Sequence, residues 1–317
     1  MKSKLKKRLT HNELLPTRDY RLNQKNAQAG RPTLLIVGCG DVGLRLVKWL
    51  RAKHPPSRLR ILATYRTAGK AAEIRNAGAT PMLLDLDSPS SVNTKRLRGL
   101  AHWMINLSPP PNDSAGTDPR SKSLLQALDG TPSPRWVYIS TSGVYGDCQG
   151  AWVDETRPVA AKSARGARRV DGERIHRAKG ASILRAPGIY GQDRLPIDRL
   201  KAGTPALREE DDTYTNHIHA LDLAIMSWLA IFRGSAKRVF NASDDSQMKM
   251  GDYFDAVATA FDLPKPPRLP RAEVAKAVSP MMLTFMSESR RLKNQRMKKE
   301  LRMRLRYPTV ASTLASR

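Results

Sequence analysis

The sequence predicts an α/β fold: a doubly wound parallel sheet followed by a smaller C-terminal substrate lobe. Short apolar segments alternate with amphipathic segments from residue 33 onward, and a glycine-rich turn follows the first apolar segment. With 317 residues, the chain is long enough for one large domain and a smaller lobe. We expect a basic disordered tail at 1–31, a dinucleotide-binding domain at 32–185, and at 186–317 the substrate lobe, interleaved with late sheet elements.

The first half alternates regularly between the two kinds of segment. A strand is predicted at 33–37, where an apolar run stops at glycine, and a helix at 42–53, where Leu44, Val47 and Leu50 share one face. Further strands are predicted at 59–65, 81–86, 103–107 and 135–140, and further helices at 70–76 and 121–128. Strands joined by helices at this spacing indicate parallel pairing with right-handed crossovers.

The second half is less regular. Helices are predicted at 170–178, 221–232 and 250–261, and strands at 182–185 and 238–242. Near the C-terminus, one set of apolar residues is expected to form the buried face of one or two helices: Met286, Leu292, Met297, Leu301 and Leu305.

The formal net charge of +26 is concentrated at the two ends of the chain. Residues 1–32 carry a net +7 and residues 265–317 a net +11. We interpret both ends as solvated basic segments. An anionic partner is the sharper alternative, but the sequence lacks a zinc-finger, helix-turn-helix or aromatic RNA-binding motif, which argues against nucleic acid.

The lengths of the apolar runs and the positions of the cysteines indicate the cellular location of the protein. No apolar run approaches the ~18 residues that a membrane span needs, so we expect no membrane partner. The basic N-terminus lacks the apolar core of a secretory signal. Cys39 and Cys148 form neither a metal-binding spacing nor a disulfide framework. Together these features favour a cytoplasmic protein.

The glycine-rich turn has the spacing of a phosphate-binding loop. Residues 38–43 read Gly-Cys-Gly-Asp-Val-Gly, a GxGxxG motif between a predicted strand and a predicted helix. Gly38 permits the tight turn, Gly40 lets the backbone approach a pyrophosphate, and Gly43 allows close packing of the helix on the strand. The context predicts a Rossmann domain with a nicotinamide dinucleotide. The contacting residues are expected to be Gly38, Cys39, Gly40, Asp41, Val42 and Gly43.

The end of the second strand indicates which dinucleotide is preferred. A carboxylate there binds the ribose 2′-hydroxyl of NAD, but this chain reads Ala63-Thr64-Tyr65-Arg66. The guanidinium of Arg66 suits a 2′-phosphate, so we expect NADP(H), with NAD(H) as the alternative. Asp85 and Leu86, after the third strand, are expected beside the adenine ring.

Several later segments resemble the extended short-chain dehydrogenase/reductase superfamily, in the NAD-dependent epimerase/dehydratase group. Residues 137–146 look like its fifth strand and catalytic Ser/Thr segment, and residues 184–191 like its sixth strand and following loop. Residues 216–224 resemble its H-V-x-D-x-A segment, and 240–245 its Y-N-x-x-D strand. The resemblance is closest to the atypical YeeZ-like subgroup, described as sugar-nucleotide epimerase-like. It implies a small-molecule substrate such as a nucleotide sugar, and possible homodimers.

The chain departs from the family at its catalytic YxxxK motif. Glu173 matches the glutamate that follows the motif, which puts Arg169 at the lysine position and Arg165 at the tyrosine position. Arginine stays protonated at any working pH, so Arg165 is a poor general acid or base. Arg169 can still bind the nicotinamide ribose or a phosphate. The same loss is described for the atypical subgroup.

The remaining site candidates are hydroxyl groups. Ser142 and Thr141 are expected to hydrogen-bond a substrate oxygen, Tyr145 to supply a proton, and Ser108 to lie where ligands bind in parallel sheets. These features predict an NAD(P)-dependent oxidoreductase or epimerase-like enzyme. The alternative is an NADP(H)-binding sensor or partner-binding protein without robust catalysis, because the tyrosine and lysine are both replaced.

Overall fold

The computed structural model describes residues 31–88, 97, 99–129 and 135–315, so apart from Arg31 the predicted tail lies outside the described residues. The described strands are β1 (Thr33–Val37), β2 (Arg60–Tyr65), β3 (Thr80–Leu83), β4 (Trp103–Asn106), β5 (Arg135–Thr141), β6 (Trp152–Val153), β7 (Ser182–Ala186), β8 (Gly188–Tyr190), β9 (Ala206–Leu207), β10 (Tyr214–Thr215), β11 (His217–His219), β12 (Val239–Asn241), β13 (Met248–Lys249), β14 (Arg268–Leu269) and β15 (Arg291–Leu292).

The described helices surround these strands. They are α1 (Asp41–Arg51), α2 (Lys70–Ala77), α3 (Pro119–Leu128), α4 (Ala164–Ala178), α5 (Ile197–Lys201), α6 (Ala220–Arg233), α7 (Met250–Ala260), α8 (Arg271–Ala277), α9 (Pro280–Phe285), α10 (Gln295–Glu300) and α11 (Val310–Leu314). Short 3-10 turns occur at Ser142–Tyr145 and Gln192–Arg194.

Seven strands form one parallel sheet in the order β12-β7-β5-β4-β1-β2-β3. The order runs outward in both directions from β1, with helices on both faces, which confirms the predicted doubly wound α/β fold. β1 lies centrally, and Leu35 pairs with Leu62 on one side and Met104 on the other. The carboxyl ends of β1 and β4 diverge into different connections, which is where such sheets bind ligands.

Alternation along β1 divides the core into two layers. Leu34 and Ile36 pack on one face of the sheet with α1 and α6, and Leu35 and Val37 pack on the other face with α3. α6 is apolar on nearly every side and correspondingly buried, as expected for a helix enclosed by protein.

A further core lies within the C-terminal part of the chain. It joins the short helices around α7 to the loops after β8, through residues such as Tyr190, Leu200, Phe254 and Val257. The apolar residues predicted near the C-terminus do not form one or two continuous helices. Leu292 belongs to β15 and Met297 to the short helix α10, and residues 301–309 follow an irregular path. The chain there is held by tertiary contacts that a local pattern does not encode.

Helix α4 begins six residues earlier than predicted. The side chain of Ser163 caps it by accepting from the amide of Gly166 at 3.1 Å. Glycine disfavours helix locally, which hid this start. Gly172 is required for packing, because a Cβ there would lie 2.4 Å from the Tyr138 hydroxyl of β5. Conversely, β3 ends at Leu83, three residues before the predicted end.

A buried ion pair joins α4 to β7. Arg185 donates through Nε and Nη2 to the two carboxylate oxygens of Glu173, at 3.0 and 2.7 Å, and both side chains are about 95% buried. Arg185 also lies over the ring of Tyr145, 4.7 Å from its centroid. The carboxylate of Glu173 raises the pKa of Arg185 against the opposing effect of burial. The pair fixes the height of α4 above the sheet.

Replacing Glu173 with glutamine is expected to lower the free energy of unfolding by about 3–5 kcal/mol, because the Arg185 charge would remain buried without its counter-charge. Chemical denaturation measures this change. Glu73→Gln is the control, since Glu73 forms an exposed pair with Lys70 and its loss is expected to cost under about 0.5 kcal/mol. Equal losses in the two variants would contradict the assigned role.

A second buried carboxylate lies after β12. Asp244 is 2% exposed; its Oδ1 accepts from the amide of Ser246, and among the described residues its Oδ2 has no hydrogen-bond partner. Burial raises the pKa of Asp244 to about 7. The folded chain therefore retains a proton that the unfolded chain has released above pH 4.

As a consequence, Asp244 lowers the stability of the fold as the pH rises from about 4 to about 7. The change is of the order of 1.4 kcal/mol for each unit of pKa shift. Asp244→Asn is expected to remove this dependence, so its stability relative to the unsubstituted protein improves between pH 5 and pH 8. Asp129→Asn, at an exposed ion pair, serves as the control in denaturation at both values. A parallel pH dependence in Asp244→Asn and the unsubstituted protein would refute the shift.

Candidate functional site

The glycine turn after β1 is pinned by its neighbours. Gly38 has φ +75°, and a Cβ there would lie 2.9 Å from the backbone N and Cα of Ser108. The Gly38 amide donates to Thr64 Oγ1, and the Cys39 amide to the Thr64 carbonyl, both at 2.9 Å. The Ser108 amide donates to Asn106 Oδ1, which fixes the Ser108 backbone in place. The Ser108 backbone in turn leaves no room for a side chain at residue 38.

Helix α1 opens beyond this turn with its amides accessible. A Cβ at Gly40 would meet nothing within 4 Å, whereas one at Gly43 would meet Cys39 Sγ at 3.0 Å. The first helical amides, those of Asp41, Val42 and Gly43, have no acceptor in a preceding turn. Open space over Gly40 and several convergent amides fit a pyrophosphate. The geometry at Gly38, Gly40 and Gly43 is compatible with the roles that the motif predicts, and pyrophosphate binding stays a prediction.

Cys39 departs from the expected contact. Its amide is already used by Thr64, and its side chain is buried in the core beside Gly43. Burial raises the pKa of its thiol to about 12, so the thiol stays protonated. Cys39 is therefore a packing residue beneath the loop rather than a ligand-facing one.

A cluster of ion pairs connects α1 to the loop after β8. Arg194 donates to Asp41 at 3.0 Å, Arg45 donates to Asp41 at 2.9 Å, and Arg45 also contacts Asp193. Asp41, Arg194 and the glycines line a cavity of about 200 Å³. The two arginines offset the negative charge that Asp41 places beside the phosphate-binding amides.

The ends of β2 and β3 carry a second group of charges. Arg66 donates to Asp87 at 2.5 Å, and Arg120 donates to both oxygens of the same carboxylate at 2.6 Å. These contacts lower the pKa of Asp87. The sequence interpretation missed Asp87 and Arg120, because their link to Arg66 spans more than 20 residues. Both guanidinium groups share the carboxylate of Asp87, and the carboxylates of Asp118 and Asp85 also act on the charge of Arg120.

The two residues predicted beside an adenine ring face different ways. Asp85 is partly exposed and accepts from the amide of Asp87 at 3.0 Å. Leu86 is buried in the second core layer. The Leu86 side chain is thus a core residue, and contact of this segment with an adenine ring stays a prediction.

The hydroxyl segment after β5 reaches the binding surface only in part. Thr141 and Ser142 line a cavity of about 730 Å³, and Thr141 lines the smaller cavity as well. Tyr145 instead lies in the core at 1% exposure and donates to Asn241 Oδ1 at 2.8 Å. Burial raises the pKa of Tyr145, and the residue lines neither cavity, so this arrangement does not support its expected role as proton donor to a substrate.

Helix α4 presents two arginines to the cavities, one turn apart. Arg169 donates to the Ile139 carbonyl at 2.8 Å and the Tyr138 hydroxyl at 3.2 Å, and it lines the smaller cavity. Arg165 lines both cavities and lies over the ring of Phe285, 5.1 Å from its centroid. The structure therefore places both arginines at the binding surface, as the sequence register implies.

The larger cavity is completed by residues from distant parts of the chain. Its lining includes Tyr253 of α7, Phe285 of α9, and Arg290, which donates to the Gly146 carbonyl at 2.9 Å. His217 is 4% exposed beside Tyr253, and burial lowers its pKa to about 4. These residues were missed because only the tertiary fold brings them to the cavity.

Among the described residues, no helix is long and apolar enough to cross a membrane. Within the same part of the chain, no three or more His, Cys, Asp or Glu side chains form a group that is able to hold a metal ion.

Comparison with known proteins gives several structural relatives. No family model matches the chain, and neither does a curated protein. A functionally unknown conserved protein from Silicibacter pomeroyi is 30% identical, with a TM-score of 0.74, over 90% of this chain and 97% of that one.

Two enzymes of known reaction share the fold at lower identity. A dTDP-glucose 4,6-dehydratase from Bacillus anthracis, solved in complex with NAD, is 14% identical with a TM-score of 0.70, over 90% of this chain and 96% of that one. A UDP-glucose 4-epimerase from Thermotoga maritima, solved with UDP-glucose, is 14% identical with a TM-score of 0.71, over 89% and 96%.

The sheet order, the glycine turn and these relatives agree with the resemblance in the sequence. The chain belongs to the same family as the Silicibacter pomeroyi protein and has the fold of the extended short-chain dehydrogenase/reductase superfamily.

Proposed function

We propose that the protein is an NAD(P)-dependent oxidoreductase or epimerase-like enzyme that acts on a small carbonyl or alcohol substrate. One observation carries the proposal: the cavity at the glycine turn and the larger cavity share Thr141, Arg165 and Arg194. A dinucleotide with its pyrophosphate on α1 thus has a direct path to the larger cavity. The family resemblance and the named dehydratase and epimerase favour a nucleotide sugar as substrate.

The residues have distinct roles in this proposal. The amides of α1 bind the pyrophosphate, and Arg169 lies where it can contact the nicotinamide ribose. The hydroxyl groups of Thr141 and Ser142 orient the substrate oxygen at the carboxyl end of β5. A bound nicotinamide supplies or accepts the hydride.

NADP(H) is the proposed nucleotide. The end of β2 lacks the carboxylate that an NAD site uses, and Arg66 lies there with Arg120 beside it. A 2′-phosphate would compete with Asp87 for these two guanidinium groups. A phosphate offers these two guanidinium groups a more strongly charged acceptor than a carboxylate does.

The second candidate is an NADP(H)-binding sensor with little turnover. It is favoured by the absence of a suitable proton donor at the expected positions. Tyr145 is buried, and arginines occupy the positions of the family's tyrosine and lysine.

Calorimetry with NADPH and NADH tests nucleotide binding. Assays with UDP-, GDP- and dTDP-sugars, followed at 340 nm and by product analysis, test turnover, because an epimerase returns the hydride and leaves the absorbance unchanged. Tight nucleotide binding with turnover of one substrate supports the enzyme. Tight binding with no turnover across the panel supports the sensor. Absence of nicotinamide nucleotide binding would remove both.

Arg66→Gln is expected to raise the Kd for NADPH about tenfold or more, because charged hydrogen bonds to the 2′-phosphate are lost. The Kd for NADH should stay within about twofold. Arg75→Gln, at an exposed arginine on α2, provides the matched control and should leave both values unchanged. Tighter binding of NADH than of NADPH by the unsubstituted protein would overturn the nucleotide preference.

Ser142→Ala is expected to lower kcat/KM about 10- to 100-fold on any substrate that the panel reveals, because one substrate hydrogen bond is lost. NADPH affinity should not change. Ser227→Ala is the control: Ser227 is buried in α6 and bonded to the Ala224 carbonyl. Full activity in Ser142→Ala would exclude the serine from the reaction.

A further inference from the structure

Arg165 is the arginine of the larger cavity that the fold does not use. Four arginines line this cavity. Arg168 donates to the Ser114 carbonyl, Arg194 to Asp41, and Arg290 to Gly146 and Glu288. For Arg165, no described residue accepts a hydrogen bond; it lies over the face of Phe285, and the nearby carboxylate of Glu288 is bonded to Arg290.

Arg165 lies at the junction of the two cavities. It lies in the first turn of α4 and lines both cavities, at the place where they meet. Its side chain is exposed to that space. Partial removal from bulk water, followed by the nearby charge of Arg169, lowers the pKa of Arg165. Among the described residues, the larger cavity is lined by these four arginines and by one acidic residue, Glu288, so an anion bound there would be attracted.

A second polar group in the same cavity also lacks a partner. The ring of His217 lines the cavity, is 4% exposed, and has no hydrogen-bond partner for Nδ1 among the described residues. Since burial keeps His217 uncharged near neutral pH, it adds a polar contact without adding charge. A buried polar group with no partner is a costly feature unless a ligand or water satisfies it.

From these contacts we infer that the substrate carries an oxyanion, a carboxylate or a phosphate, that Arg165 holds beside its reacting carbon. The planar fork of a guanidinium matches both oxyanions. The inference rests on the proposed function in taking the larger cavity as the substrate site. It narrows the substrate class to an acidic carbonyl or alcohol, such as an oxo acid, an acidic sugar or a phosphorylated alcohol.

Titration calorimetry on the full chain tests this inference, with oxalate and inorganic phosphate as probes. Arg165→Gln is expected to weaken binding of the preferred probe at least tenfold, and Arg165→Lys to restore part of it. Arg177→Gln is the matched control, at an exposed arginine on the same helix that lines neither cavity, and should change the Kd less than twofold. The probe that binds more tightly identifies the oxyanion as carboxylate or phosphate.

Unchanged binding in Arg165→Gln overturns the inference, as does equal weakening in Arg165→Gln and Arg177→Gln. Circular dichroism on each variant separates these results from loss of folding. NADPH titration in parallel separates the two proposals. If the protein binds NADPH but its oxyanion binding does not depend on Arg165, the inference about Arg165 is wrong and the proposed function stands. If the protein does not bind NADPH but its oxyanion binding depends on Arg165, the nicotinamide proposal is wrong and the inference about Arg165 stands.

Discussion

The close approach of Gly38 to the backbone of Ser108 is the constraint on which the binding surface depends. A Cβ at residue 38 would lie 2.9 Å from the Ser108 backbone, so no side chain fits there, and φ +75° independently favours glycine. β1 and β4 are paired along their length, and this contact sets how closely the turn after β1 approaches the segment that follows β4. The same turn leads into α1, whose first residues line the smaller cavity together with Thr141.

Some of the arginines that make the C-terminal part of the chain basic have a structural role. Several of its arginines donate to backbone carbonyls far away in the chain: Arg271 to Met286, Arg290 to Gly146, Arg291 to Gly150 and Arg296 to Val239. Guanidinium groups thus satisfy carbonyls where the chain has little regular secondary structure. These arginines therefore have a structural function that requires neither a nucleic acid nor another anionic partner.

Local patterns predicted the central sheet well because most of its strands, such as β1, β2 and β5, are short, buried apolar runs. The glycine turn was predictable for the same reason, since strand, turn and helix are adjacent in sequence. Prediction failed where a distant residue decides the outcome. Tyr138 selects glycine at 172 within α4, and Thr64 occupies the amide of Cys39. The wall of the larger cavity, including Phe285 and Arg290, is likewise assembled by tertiary contacts.

The two arginines of α4, Arg165 and Arg169, are suited to binding a ligand and not to transferring a proton. Arg169 is fixed to β5 through the Ile139 carbonyl, and Arg165, one turn away on the same side, is left for a ligand. Like charges at this spacing repel, so the pair is more stable with an anion between them. Arginine is a poor proton donor or acceptor, so the pair is suited to binding and not to proton transfer. Under the proposed function, Arg169 contacts the nucleotide and Arg165 the substrate, and the proton must move through the hydroxyls of Thr141 and Ser142, through water, or through the substrate itself.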